Sequence, residues 1–130
     1  MILALAVTGC GQSSTVSRSS LAKRAAAVQS LAAEGALLAG DVADGRSTTV
    51  FQREHSSELS KSAGKAASSL ASAKTTPALE PDLRRLRILA TRAESQLRRL
   101  GHASEHDARG LEHGLQSVAD SSEKLGDTLG

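Results

Sequence analysis

The sequence predicts an all-α protein: an antiparallel up-down-up-down four-helix bundle after a short N-terminal signal and tether. Three observations predict it. Apolar residues recur at helical spacing in four successive segments, and turn or breaker residues separate those segments. Residues that favour strands are scarce, with Phe51 the single aromatic side chain in 130 residues. Ala and Leu supply most of the apolar content, and both favour helix. A chain of this length forms one domain with a modest core.

In the first segment Leu21, Val28, Leu31, Leu38 and Val42 fall on one stripe, filled in by Ala25, Ala32 and Ala39. Ser20 has the chemistry of an N-cap, and Asp44-Gly45-Arg46-Ser47 that of a turn. The second segment spans about Thr48 to Lys74 through Phe51, His55, Leu59, Ser62, Ala66, Leu70 and Ala73. Its stripe is the thinnest, which leaves a face to bury against a protein partner or a second copy of the chain. Thr75-Thr76-Pro77 ends it, and Pro81 suits the first turn of the third helix. The third stripe is the most regular: Leu79, Leu83, Leu86, Ala90, Ala93, Leu97 and Leu100, closed by Gly101 as C-cap. Ser104 followed by Asp107 resembles a capping box for the fourth helix. Its stripe is Ala108, Leu111, Leu115, Val118, Ser122, Leu125 and Leu129. Gly110 and Gly114, one turn apart, are read as points of close helix approach.

The N-terminus has a different character. Ile2 to Val7 is an uninterrupted apolar run, too short to span a bilayer, which takes about 20 residues. It ends in small residues and then Cys10, the lone cysteine, so no disulfide can form within the chain. The order Val7-Thr8-Gly9-Cys10 resembles the lipobox of bacterial lipoproteins. The resemblance covers about ten residues. It implies that the Cys10 thiol takes a diacylglycerol and that cleavage after Gly9 leaves the lipidated cysteine as the mature N-terminus. It further implies a membrane partner and an extracytoplasmic location on the cell membrane. The basic residues that open such signals are missing between Met1 and the run, and a start further upstream would supply them. On this reading residues 1–9 are the signal, 10–20 the lipidated cysteine and a flexible Ser/Gly/Thr-rich tether, and 21–130 the bundle.

Charge and composition narrow the function. Sixteen basic residues against fourteen acidic leave a net +2, too small for a global field that would gather nucleic acid. A single aromatic, Phe51, disfavours a platform for base stacking or an aromatic cation cage. Serines are spread along helices with no Gly-x-Ser-x-Gly elbow, and no enzyme is indicated.

Two groups of side chains are candidates for a site. His55, His102, His106 and His113 fall in the half of the bundle far from the N-terminus, among several carboxylates. His106 and His113 point away from the fourth helix's apolar stripe, and no Glu-x-x-His spacing occurs. No metal or cofactor is therefore expected. Only His55 lies in a stripe, with Glu34 as a partner across the hairpin; His55, Glu58 and Glu34 are the residues of an alternative ligand- or metal-binding reading. The second group is Arg85, Arg92 and Arg99, spaced by seven on the third helix and broadened by Arg84, Arg87 and Arg98. They form either a surface for anionic head groups and cell-wall polymers or a solvated face paired with Glu105, Glu112 and Glu123. Opposite charge on neighbouring helices favours the pairing. The leading functional reading is an envelope lipoprotein whose bundle is an interaction or structural module.

Overall fold

The computed structural model describes residues 15–130, which form four α-helices: α1 (Arg18–Ala43), α2 (Thr49–Ser72), α3 (Glu80–Leu100) and α4 (Glu105–Leu129). The positions expected to form a signal peptide and lipidation site, Gly9 and Cys10 among them, lie outside the described residues. The helices pack as a bundle, and its closest partnerships are α1 with α4 and α2 with α3. Helices α1 and α3 meet across the centre, whereas the backbones of α2 and α4 do not approach closely.

Small residues set the spacing of the α1–α4 pair. Ala25, Ala32, Ala36, Ala39, Gly35 and Gly40 are all buried along α1. A Cβ added at Gly126 would stand 3.7 Å from the Ala25 Cβ, ordinary van der Waals contact. At Gly35 a Cβ would run into the Leu97 Cδ2 methyl and stand 3.2 Å from the Leu115 Cδ1. Gly35 is thus the point where α1 admits leucines of both α3 and α4. Leu97 and Leu115 are themselves fully buried, so neither can retreat into solvent.

The stripes of α3 and α4 are as the periodicity predicts, with Leu89 and Ala119 added. That of α1 differs in Leu31, which is only partly buried. Helix α2 differs more. Its buried residues are Gln52, Ser56, Leu59, Ala63 and Leu70, a line one residue out of phase with Phe51-His55-Ser62. Phe51 is 53% exposed. The reason lies in α3. Gln52 Nε2 donates to the carbonyls of Leu100 (2.8 Å) and Ala103 (3.0 Å), satisfying acceptors that the end of α3 leaves open. Burial of a polar side chain is sustained by those bonds.

Three further expectations change. The N-cap of α1 is Ser17, whose Oγ accepts from Ser20 N, so the helix begins before Ser20. Val16, expected within a flexible tether, is buried: its N–H donates to Lys74 O (2.7 Å), and its carbonyl accepts from Thr75 Oγ1 (2.7 Å). The folded unit therefore starts by residue 15 rather than 21. Gly101 is the C-cap of α3 as expected, but in right-handed backbone (φ −57°), so left-handed freedom is not what that position uses. An added Cβ there would lie 2.9 Å from Ser56 Oγ, which makes Gly101 a close-approach residue. Gly110 is the reverse, because nothing lies within 4 Å of a Cβ built on it, while one on Gly114 would meet Gln96 Nε2 at 2.6 Å. Only the second supports the close-approach reading.

The end of α1 is closed by a turn that does demand glycine. Gly45 has φ 72°, its N–H donates to Val42 O, and Arg46 N–H donates to Asp41 O. These two bonds are those of a Schellman motif. The chain then re-enters helix at Thr48, whose hydroxyl accepts from Phe51 N.

Candidate functional site

The fold separates the bundle into two ends. The end holding Thr15–Ser17 and the α2–α3 link also holds the C-terminus of α4, and the α1–α2 and α3–α4 links lie at the other. We call the first end proximal, since the N-terminal segment enters there. Charge divides between the halves. Residues 18–30, 61–90 and 117–130 make the proximal half, with ten Lys or Arg and five Asp or Glu. Residues 31–60 and 91–116 make the distal half, with six basic and nine acidic residues and all four histidines. A net charge of +2 thus conceals a basic proximal and an acidic distal half.

His55 meets the partner expected for it. Its Nε2 lies 3.1 Å from Glu34 Oε1, joining α2 to α1, and its ring stacks on Phe51 at a centroid distance of 5.3 Å. Glu58 is exposed and has no ion-pair contact with His55. Among the described residues no group of three or more His, Cys, Asp or Glu is placed to hold a metal ion. The geometry is that of an interhelical tie at the bundle surface. His102, His106 and His113 are exposed on the distal end, as their phase predicts.

A second tie closes the distal end. Arg109 of α4 binds Asp44 at the end of α1 and Glu112 one turn along its own helix. The hydrogen bond from Arg109 holds the Asp44 carboxyl below the usual carboxylate range, and Asp44 and Glu112 in turn raise the Arg109 guanidinium. Arg46 joins from the turn at 3.0 Å to Asp41 and 3.2 Å to Asp44. Sequence reasoning missed Arg109, because its partner Asp44 is 65 residues away and nothing in the local pattern marks it.

The arginines of α3 divide into two roles. Arg87 is withdrawn from the basic surface. Its Nε donates to Leu70 O (2.7 Å) and its Nη2 to Ala73 O (2.6 Å), capping the C-terminus of α2, with Glu80 3.7 Å away. Gln52 of α2 caps α3 in the same manner at the other end, so each helix of this pair is finished by a side chain of the other. Arg98 pairs with Glu94 at 2.6 Å.

Arg84, Arg85, Arg92 and Arg99 remain exposed, and among the described residues none makes an ion pair. The expected pairing with α4 does not form. Glu112 is held by Arg109, Glu105 Oε1 lies over the turn at Gly45, and among the described residues no cation forms an ion pair with Glu123. The physical reason is phase: Gln96 of α3 stands against Gly114 of α4, and the four arginines lie on the side of α3 turned away from its buried leucines. Ile88, 54% exposed, stands among them. Comparison with protein-family models, curated proteins and solved structures finds no match for the chain.

Proposed function

We propose that this chain is a lipid-anchored module of the bacterial cell envelope, held at the outer face of the cell membrane through Cys10. Its bundle serves interaction or structure rather than catalysis. The observation that carries the reading is the sequence Val7-Thr8-Gly9-Cys10, whose cysteine is the only one in the chain and stands five residues before Thr15, the first described residue. Five residues reach at most about 18 Å when fully extended. Such a tether keeps the proximal end beside the bilayer, and the excess of basic residues in that half suits an anionic surface. In the distal half Leu37, Val50 and Phe51 are exposed, which favours a protein contact there.

Cell fractionation tests the anchor. After a high-salt wash, which removes protein held by charge alone, the unaltered protein is expected in the membrane fraction and released by detergent, and a Cys10→Ala variant in the soluble fraction. Equal distribution of the two would contradict the proposal. Each buried methylene of a lipid chain contributes about 0.8 kcal/mol, so losing the chains should shift the partition almost completely.

A further inference from the structure

We propose that the outer face of α3 is a bilayer-docking surface that lies flat on anionic phospholipid, with the Ile88 side chain entering the headgroup region. The partner so named deepens the anchored reading and rests on it for the membrane's proximity, although the binding chemistry belongs to α3 alone. Arg84, Arg85, Ile88, Arg92 and Arg99 fall within an arc of ~100° on the helix, turned away from its leucine stripe. Four guanidiniums without carboxylate partners have their N–H donors free for phosphate oxygens. The hydroxyls of Thr91 and Ser95, exposed between them, add donors on the same face.

Two features select a bilayer over a dissolved polyanion. An exposed Ile at the centre of a cationic face gains nothing from a polymer in water, but it buries apolar area when the helix settles into an interface. The face also starts where the membrane would be. Val16 is hydrogen-bonded to Lys74 and Thr75 in the α2–α3 link, and Arg84 and Arg85 stand in the first turns after that link. From Arg84 to Arg99 the face runs about 22 Å at 1.5 Å per residue, so the bundle must recline for all four arginines to touch one plane.

The test uses the full-length chain carrying Cys10→Ser, so that no lipid anchor contributes. Its partition onto vesicles of phosphatidylglycerol in phosphatidylcholine is compared with pure phosphatidylcholine. Preference for the anionic vesicles is expected, falling with added salt. Replacing Arg85, Arg92 and Arg99 by Gln should lower that preference about fivefold per arginine, hence about a hundredfold together. Ile88→Ser should lower it several-fold while leaving the salt dependence in place. A control replacing the exposed Arg53, Lys61 and Lys65 of α2 by Gln should have a much smaller effect. Far-UV circular dichroism verifies that each variant is folded, and among the described residues none of the replaced arginines makes a side-chain hydrogen bond or an ion pair.

An equal loss in the α2 control would show attraction by net charge and overturn the assignment to α3. Binding to soluble polyphosphate that matches vesicle binding and ignores Ile88→Ser would replace the bilayer with a polyanion and also overturn it. Because no step requires lipidation, a negative result here leaves the anchor untouched. Conversely, release of the wild-type protein from cell membranes by salt alone would remove the anchor while vesicle binding stood.

Discussion

Leu97→Ala is expected to destabilise the bundle by about 3 kcal/mol, and adding Gly35→Ala to that variant to restore part of the loss. Leu97 is fully buried and one of its methyls occupies the space where a Cβ at position 35 would lie. Truncation removes the transfer energy of the leucine and leaves a cavity; comparable changes cost 2–5 kcal/mol, roughly. In the unaltered protein Gly35→Ala forces a methyl against packed leucines, at a cost of about 1–3 kcal/mol, offset by about 1 kcal/mol of helix propensity. In the Leu97→Ala background the clash disappears, the cavity is partly filled and the propensity gain remains. Gly35→Ala should therefore be stabilising there, with a coupling of about 1–2 kcal/mol between the sites. Urea denaturation of the four proteins in the cycle measures it. Additive effects would mean that α1 does not approach α3 as closely as Gly35 implies.

Arg87→Met should cost about 2 kcal/mol, whereas Arg84→Met and Arg85→Met should each change stability by no more than about 0.5 kcal/mol. Charge alone does not distinguish these three residues. Arg87 donates to two carbonyls at the end of α2, at 2.7 and 2.6 Å, and its side chain is about one-third exposed. Water can reach part of the site once the guanidinium is gone, which keeps the loss below that of two fully buried charge-assisted bonds. The effect should also be local. The last turn of α2 leads directly into Lys74 and Thr75, which hold Val16. Hydrogen exchange should accordingly quicken from Leu70 to Thr75 and at Val16, with the middle of α4 unchanged. Equal effects for all three arginines, or exchange that quickens everywhere alike, would refute the capping role.

These two cases mark what could be read from the residues alone. Helices α3 and α4 were legible because large leucines recur on one face, and a period of 3.6 leaves little choice of phase. Helix α2 has few such residues. Phe51 and His55 drew its stripe toward the wrong side, and the polar residues that do face inward carry no hydrophobic signal. Gln52 and Ser56 are buried because the end of α3 needs donors and a close neighbour at Gly101, a tertiary demand that local patterning cannot express. The start of α1 was blurred by serines at 17, 19 and 20, any of which could cap; the pairing of Val16 with the α2–α3 link selects Ser17.

The candidate residues follow the same logic. His55 with Glu34 was legible, because two helices of a hairpin place a histidine and a carboxylate at one height. The fate of the arginines was not. Seven-residue spacing shows that Arg85, Arg92 and Arg99 share a face, but whether that face meets α4 depends on the rotation of α3 within the bundle. The structure turns it outward and leaves its arginines without carboxylates, and that orientation is what makes the surface a candidate for docking.

The account as a whole depends on Cys10. Intact-mass measurement of the protein extracted from membranes of its own host tests it most directly. The mature species should begin at Cys10, lack residues 1–9, and carry the added mass of a diacylglyceryl group on the thiol. A species with Met1 still attached and an unmodified Cys10 thiol would contradict the anchor, leaving the four-helix bundle and the surface of α3 to be explained without it.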